Sequence, residues 1–252
     1  MNLRRLARKA YARLFSPYDY SSHVIALHRY QAIYMAVPKV ANTSIKTALT
    51  QLMPEDLRTF DMDGRKERSV YGRHRDELFA REIRLYKHQI ARYTSYFVFA
   101  FVRDPWDRLV SCYRDKIEWG AVMEGGRRND PQKRRLYLGS GFRKDMSFEE
   151  FVRKVVETPD RRSNRHFRSQ HTFLTDRDGS LIPDYVGKFE RLSEDFSYAM
   201  KRIGASAVEL PHVRNSRGAR HREYYTKELA ELVSRRYARD IELFDYRFDG
   251  GD

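Results

Sequence analysis

The sequence predicts an α/β protein in which a central, mostly parallel sheet is flanked by helices and carries long basic loops. Two apolar runs, residues 32–37 and 96–102, are too short for helices and suit buried strands. Each run leads through a short turn into a segment with helical periodicity. The second run is continuously apolar, which is typical of a strand buried on both faces of a parallel sheet.

The first strand–turn–helix unit occupies residues 32–52. Pro38 ends the predicted strand because proline cannot donate a hydrogen bond to a sheet ladder. A strand, a tight turn and a helix start together aim backbone N–H groups and the positive end of the helix at an anion. The apolar residues that recur at helical spacing after the turn are Ile45, Ala48, Leu49 and Leu52.

The turn itself contains groups that can bind a phosphate or a sulfate. Lys39 lies in the turn, and Asn42, Thr43 and Ser44 add side-chain donors. The turn has no glycine and its lysine precedes the helix, so it differs from the G-x-x-x-x-G-K-[ST] loop that binds nucleoside triphosphates. Taken alone, these residues also fit a plain strand–helix junction with an exposed lysine and a Thr or Ser helix cap.

The second unit places Arg103 directly after the second predicted strand. Asp104 suits an N-cap and Pro105 suits the first helical position, so a helix is expected to begin here. The carboxyl end of a central strand is where open α/β sheets bind ligands, and Ser111 follows two turns into the helix. A second interpretation stays open, in which Arg103 forms an ion pair with Asp104 or Asp107.

Weaker patterns predict the remaining elements. Ser147 and Glu150 form a capping box that starts a helix extending to about residue 156. The other predicted elements are a strand at 23–28 beside the 32–37 strand, a strand at 185–190, and helices at 77–86, at 192–203 before Gly204, and from about 226 onward.

Length and charge limit the domain organisation and the partners. The 252 residues contain no repeat and no clean linker, which predicts a single domain over residues 1–252. The net charge of +14 favours anionic partners such as nucleotides, sulfated or phosphorylated glycans, nucleic acid or an acidic membrane. Cys112 is the only cysteine, so an internal disulfide and a cysteine zinc site are excluded, and a reducing compartment is favoured.

The N-terminal segment, residues 1–20, is basic and amphipathic. Over residues 1–16, leucines and alanines fall on one helical face with arginines and a lysine around them. Such a helix can lie on an anionic membrane, but packing of its apolar face on the protein's own domain is the favoured interpretation. No run approaches the roughly 20 apolar residues of a membrane span, and the apolar core of a signal peptide is absent.

Both strand–turn–helix units resemble motifs of one enzyme family. Residues 38–44, Pro-Lys-Val-Ala-Asn-Thr-Ser, resemble the 5′-phosphosulfate loop of carbohydrate sulfotransferases that use 3′-phosphoadenosine-5′-phosphosulfate (PAPS). The similarity is to the HNK-1 and chondroitin 4-O type, sulfotransferase family 2. Residues 99–111 resemble that family's 3′-phosphate motif, and residues 184–195 and 237–246 resemble two further landmarks. The resemblance runs from about residue 30 to residue 248.

The resemblance implies a P-loop-like three-layer α/β fold and transfer of a sulfuryl group from PAPS to a carbohydrate hydroxyl by in-line displacement. It implies that Lys39 stabilises the charge on the oxygen between sulfur and the 5′-phosphate as that bond breaks. The residues implied in donor binding are Lys39, Val40, Ala41, Asn42, Thr43 and Ser44 at the 5′ end, and Arg103, Ser111, Arg217 and Gly218 at the 3′ end.

The acceptor hydroxyl needs a general base, and histidine titrates near neutral pH. His88 is the first candidate because its position resembles that of a histidine upstream of the 3′-phosphate strand in 2-O type enzymes. His166 is the second candidate, and Arg165 and His166 are assigned to acceptor binding. The implied acceptor is a glycan, polysaccharide or glycolipid. A fixed set of basic groups without paired carboxylates predicts that no metal is needed.

The family's Golgi members carry a signal-anchor helix and cysteines that this sequence lacks. We therefore expect a soluble, bacterial, cytoplasmic enzyme, and residues 1–16 could make peripheral contact with a membrane.

Two rival functions fit the sequence less well. An ATP-dependent small-molecule kinase would need the Walker lysine arrangement and a carboxylate that binds Mg²⁺, and this sequence shows neither. A nucleic-acid-binding module fits the high pI and the 17 tyrosines but gives no reason for the two anion-directed turns, so no nucleic acid partner is expected.

Overall fold

The computed structural model describes most of the region over which the sequence motifs occur. The residues that it describes are 24–52, 84–85, 87–118, 141–211 and 221–248. The N-terminal segment 1–20 lies outside these ranges, so its predicted amphipathic helix stays a prediction.

The described residues form five strands and seven α-helices. The strands are β1 Val24–Leu27, β2 Ala32–Met35, β3 Arg84–Leu85, β4 Phe97–Val102 and β5 Tyr185–Lys188. The helices are α1 Asn42–Thr50, α2 Pro105–Tyr113, α3 Phe148–Glu157, α4 His171–Leu174, α5 Leu192–Arg202, α6 Lys227–Arg236 and α7 Ala238–Phe244. A π-helical turn, Arg114–Glu118, extends α2, and 3₁₀ turns occur at His28–Tyr30, Lys87–Arg92, Asp160–Arg162, Phe189–Arg191 and Arg222–Tyr224.

The chain divides into two compact units. The first unit comprises residues 1–102 and 173–214, and the second comprises residues 103–172 and 215–252. This division describes local packing, and the single domain over residues 1–252 remains a prediction. Within the described ranges, no helix is both long and apolar enough to cross a membrane.

Within its described residues, the first unit contains a five-stranded sheet in the order β3-β1-β2-β4-β5. Strands β2, β4 and β5 run parallel, with β4 between the other two, as its continuous hydrophobicity predicts. Strand β1 runs antiparallel to β2, because the turn through His28–Tyr30 and the left-handed Gln31 reverses the chain between them. The α/β class is confirmed, and so is a strand beside β2; the P-loop-like, three-layer description remains a prediction.

The prediction of a helix at residues 77–86 is wrong at its C-terminal end. Arg84–Leu85 forms β3 and pairs antiparallel with Val24 and Ile25 of β1. Pairing with the neighbouring strand gives these residues backbone hydrogen bonds that a local sequence pattern cannot anticipate. The preceding part of the predicted helix lies outside the described residues.

Aromatic side chains form much of the core of the first unit. Tyr34 of β2 stacks on Phe99 of β4 with ring centroids 5.4 Å apart, and Phe101 packs against Phe196 of α5. Gly187 of β5 is required for this packing, because a Cβ there would lie 2.6 Å from the Phe101 ring. Helix α5 ends before Gly204, whose φ of 74° confirms the predicted stop.

The second unit is built from α2, α3, α6 and α7. The predicted capping box at Ser147 and Glu150 is present at the start of α3. The closing helix begins after Thr226 as predicted, but it breaks at Tyr237 into α6 and α7. Tyr237 is buried and its hydroxyl donates to the carbonyl of Phe167 at 2.5 Å, so its side chain is held in the core at the point of the break.

Candidate functional site

The turn that follows β2 has an uncommon backbone conformation. Lys39 and Ala41 have φ values of 70° and 45°, in the left-handed region that non-glycine residues rarely adopt. Each such residue costs on the order of 1–2 kcal/mol, and this kind of strain is concentrated at functional sites. Left-handed residues in turns also form part of the backbone nests that bind anions. The conformation therefore favours an anion-binding role over a plain strand–helix junction.

Helix α1 begins at Asn42 with an open amino end. Its N-cap is Ala41, which provides no side-chain hydrogen bond, so the alternative in which Thr or Ser caps the helix is wrong. The first N–H groups of any helix have no acceptor within the helix, and they carry the positive end of its dipole. An anion bound at the turn would supply the acceptor that the cap does not.

The side chain of Asn42 holds this turn closed. The buried Tyr34 hydroxyl donates to Asn42 Oδ1 at 2.7 Å, and Asn42 Nδ2 donates to the carbonyl of Val37 at 2.7 Å. Burial raises the pKa of Tyr34, so its hydroxyl remains a donor at physiological pH. Sequence reasoning treated Asn42 as a side-chain ligand and missed Tyr34. In the structure the amide connects the end of β2 to the start of α1.

The other residues of the turn differ in their exposure. Val40 is fully buried, so its backbone is the part that remains for ligand binding. Lys39 and Ser44 are half-buried, and Thr43 is exposed. The turn thus places a lysine, a hydroxyl group and the open helix end along one short stretch of chain in the first unit.

The turn that follows β4 is organised around Arg103, which is only 4% exposed. Its Nε donates to Asp107 Oδ2 at 2.8 Å, and one terminal nitrogen lies 2.7 Å from the same oxygen. The ion pair with Asp107, left open by the sequence, is therefore present. Asp104 is confirmed as the N-cap of α2, with Oδ1 accepting from the backbone N–H of Asp107 at 2.8 Å. Because a carboxylate already occupies this helix start, an anion here would be bound by side chains.

Both turns lie within the part of the chain that matches a known protein family. Residues 22–247 match the model of the family described as "Sulfotransferase family", which covers most of the chain. The chain belongs to the sulfotransferase family. The resemblance drawn from the sequence motifs is confirmed.

This sulfotransferase is similar to several curated animal proteins. It is 28% identical to carbohydrate sulfotransferase 14 of Danio rerio over 245 residues, which cover 89% of this chain and 62% of the relative. It is 32% identical to the Homo sapiens protein of that name over 200 residues, covering 76% and 48%. Carbohydrate sulfotransferase 11 of Rattus norvegicus is 26% identical over 255 residues, covering 93% and 69%. No solved structure matches the chain.

The sulfotransferase chain spans only part of these relatives. It covers 62% of the length of the Danio rerio protein and about half that of the Homo sapiens protein.

The predicted acceptor-side residues are described to different extents. The backbone of His88 lies in the Lys87–Arg92 turn of the first unit, while its side chain lies outside the described part. In the second unit, His166 Nδ1 lies 2.7 Å from Asn164 Oδ1, which fixes the orientation of the ring. Arg165 is exposed, and its carbonyl is 3.5 Å from a terminal nitrogen of the buried Arg108.

Ser111 is half-buried on α2 in the second unit. Arg217 and Gly218 lie outside the described residues, so their contact with the 3′-phosphate stays a prediction. Among the residues that the structure describes, no group of three or more His, Cys, Asp or Glu side chains is placed to hold a metal ion.

Two residues behind the Arg103 turn were missed by sequence reasoning as parts of the site. The side-chain amide of Gln170 accepts from the backbone N–H of Arg103 at 3.0 Å and donates to its carbonyl at 2.8 Å. Asp240 of α7 accepts from the backbone N–H of Gln170 at 2.6 Å. Asp240 did carry a signal, because it is a charged residue on the apolar stripe formed by Tyr237, Ile241 and Phe244. Gln170 carried none.

Proposed function

We propose that this sulfotransferase transfers a sulfuryl group from PAPS to a hydroxyl group of a carbohydrate. The observation that carries the proposal is the 38–44 turn, in which left-handed backbone at Lys39 and Ala41 leads into a helix start without a side-chain cap. Family membership favours this reaction over the ATP-dependent kinase and the nucleic-acid-binding module.

At the 5′ end of the donor, the turn neutralises charge on the leaving group. The backbone N–H groups of residues 41–44 bind the 5′-phosphate, and the Lys39 ammonium binds the oxygen that bridges phosphorus and sulfur. The acceptor oxygen forms a new bond to sulfur while the bridging S–O bond breaks, and 3′,5′-adenosine bisphosphate leaves. Donors that are already in place where charge develops lower the barrier without reorganisation during the reaction.

At the 3′ end of the donor, Arg103 and Ser111 bind the 3′-phosphate. The ion pair with Asp107 orients the Arg103 guanidinium before the donor arrives. A guanidinium has a fixed planar set of donors, which suits the geometry of a phosphate. Arg217 and Gly218 are proposed as a further contact from a later part of the chain.

The proton of the acceptor hydroxyl passes to a general base. His88 is the proposed base, with His166 as the second candidate and Arg165 as an acceptor-binding residue. We propose a glycan, polysaccharide or glycolipid as acceptor, no metal requirement, and a cytoplasmic location in a bacterial cell.

The test is transfer of labelled sulfate from PAPS to a panel of glycans, glycolipids and phenols, with ATP as a competing donor. Lys39→Ala should lower kcat by roughly 100-fold or more, because it removes a charge from the transition state. Lys46→Ala, which makes the same change on α1, is the matched control and should stay within about threefold. A near-normal rate for Lys39→Ala would remove Lys39 from the mechanism.

A second arm of the test concerns the base and the metal. His88→Ala should lower kcat while the Kd for 3′,5′-adenosine bisphosphate, measured by calorimetry in the presence of EDTA, stays unchanged. Unchanged turnover of His88→Ala together with reduced turnover of His166→Ala would transfer the role to His166. Failure of 3′,5′-adenosine bisphosphate to bind in EDTA, with binding restored by Mg²⁺, would contradict the metal-free proposal.

A further inference from the structure

The backbone of Arg103 is held at both of its polar groups by one side chain. Gln170 is fully buried, and its amide forms a two-point contact with the N–H and the carbonyl of Arg103 at 3.0 Å and 2.8 Å. A side-chain amide that pairs with both groups of one residue fixes the position of the residue and the orientation of its peptide planes. The Cα atom from which the Arg103 guanidinium extends therefore has a defined place in the second unit.

Gln170 is in turn held by a buried carboxylate. Asp240 is fully buried, and its Oδ2 accepts from the backbone N–H of Gln170 at 2.6 Å. Its Oδ1 accepts from the backbone N–H of His171 at 2.8 Å and lies 2.7 Å from His171 Nδ1. Through these two backbone contacts, Asp240 fixes the peptide groups on both sides of the Gln170 Cα atom.

We propose that Gln170 and Asp240 are positioning residues for the 3′-phosphate end of the donor. They act through Arg103 and need not touch the ligand. The inference rests on the proposed function, in which Arg103 binds the 3′-phosphate. A side chain on a fixed backbone loses less conformational freedom on binding than one on a mobile turn. The resulting gain in affinity applies only to the ligand group that this side chain contacts, which here is the 3′-phosphate.

The competing interpretation is that this network only stabilises the fold, as buried polar networks often do. The two interpretations differ in which part of the ligand loses affinity. A positioning role predicts a loss that depends on the 3′-phosphate. A general loss of stability predicts equal weakening of ligands with and without that phosphate.

The experiment compares 3′,5′-adenosine bisphosphate with adenosine 5′-monophosphate by calorimetry on the full chain. The wild type should prefer the bisphosphate, and the preference is the ratio of the two Kd values. Gln170→Met keeps the length of the side chain and removes both hydrogen bonds. We expect it to reduce the preference about tenfold while the Kd for the monophosphate stays within about twofold.

Two further variants complete the test. Asp240→Asn should reduce the preference in the same direction, because an amide cannot accept from both backbone N–H groups as the carboxylate does. Arg239→Gln is the control, since Arg239 is exposed beside Asp240 on α7 and contacts Glu242. It should leave both Kd values unchanged.

The outcomes separate the inference from the proposed function. A wild type that binds both ligands equally contradicts the assignment of Arg103 to the 3′-phosphate, and the inference fails with it. A wild-type preference that survives in folded Gln170→Met and Asp240→Asn overturns the positioning role alone. If circular dichroism shows that both variants are unfolded, the positioning role is also overturned, because the network then holds the fold as a whole.

Discussion

The guanidinium of Arg103 is paired with the carboxylate of Asp107 one helical turn away, with two nitrogen–oxygen distances of 2.8 Å and 2.7 Å to the same oxygen. Both side chains are largely buried, at 5% and 12% exposure. Two charges in such a place stabilise one another, and removal of either leaves the other poorly solvated. The pair therefore keeps a cation in place at the end of β4 without a ligand.

Asp107→Asn should destabilise the protein and make its stability more dependent on the ligand. Breaking a buried ion pair costs about 3 kcal/mol of unfolding free energy. A bound phosphate restores a negative charge near Arg103, so 3′,5′-adenosine bisphosphate should raise the Tm of the variant more than that of the wild type. Thermal unfolding with and without this ligand measures both effects.

An exposed ion pair provides the control for Asp107→Asn. Glu149 pairs with Arg153 on the surface of α3, and exposed pairs contribute little to stability. Glu149→Gln should change the unfolding free energy by no more than about 0.5 kcal/mol and leave the ligand effect unaltered. An equal Tm rise in wild type and Asp107→Asn would show that the ligand does not replace the lost charge.

Tyr34→Phe tests the closure of the turn after β2. The change removes the hydroxyl that donates to Asn42 and leaves a poorly solvated acceptor, so we expect a loss of about 1–2 kcal/mol. The ring and its stacking on Phe99 are kept. Because the start of α1 becomes less well fixed, the Kd for adenosine 5′-monophosphate should rise severalfold.

Tyr198→Phe is the matched change at a surface position. Tyr198 is 50% exposed, and its ring packs at a tilt against that of Tyr185, a contact that a phenylalanine ring can also make. The stability and the ligand affinity of the Tyr198→Phe variant should equal those of the wild type. If Tyr34→Phe and Tyr198→Phe behave alike, the hydrogen bond to Asn42 contributes nothing to the turn.

Ala41→Gly tests the strain at the start of α1. Ala41 has a φ of 45°, which glycine adopts without steric cost, so the variant should be more stable by about 0.5–1 kcal/mol. Ala48→Gly within the same helix should lower the stability, because it places glycine in a helix interior and removes a buried methyl group. Chemical denaturation of both variants gives the comparison, and a loss of stability in Ala41→Gly would mean that the left-handed backbone is not strained.

The sequence predicted the elements whose signals are local. The cap at Asp104 and the box at Ser147 each act within a few residues, and helices begin after both in the structure. Strand β2 ends at Met35, two residues before the limit that Pro38 predicted. The contacts that depend on distant parts of the chain were not predictable in this way. The pairing of β3 with β1, the hydroxyl of Tyr34 on Asn42 and the amide of Gln170 on Arg103 leave no periodic pattern.

The candidate site was predictable to a similar extent. A strand followed by a turn and a helix is recognisable from the sequence, so Lys39 and Arg103 could be named. The residues that hold those turns are recognisable only when they break a pattern, as Asp240 does by placing a carboxylate on an apolar stripe. Gln170 lies on an irregular segment and breaks no pattern, so its role becomes visible only in the tertiary fold.

Acid should destabilise this sulfotransferase partly through Asp160 in the second unit. Burial raises the pKa of Asp160, but the hydrogen bond and charge of Arg236, together with hydrogen bonds from Ser169, lower it by more, so the net pKa lies below its ordinary value. The ionised carboxylate is therefore favoured in the native state. Its stabilising contribution is complete above the pKa of the unfolded chain, near 4, and is lost as pH falls through the lower native value.

Asp160→Asn isolates this contribution from those of the other acidic residues. The variant should be less stable than the wild type at pH 7, and the difference between the two should shrink as the pH falls below about 4. Urea denaturation at intervals from pH 7 to pH 2.5 measures the difference, and Asp145→Asn, at an exposed position, should follow the wild type throughout. A difference that stays constant over this range would mean that Asp160 is protonated equally in the native and unfolded states, and the Arg236 pair would then have no part in the acid response.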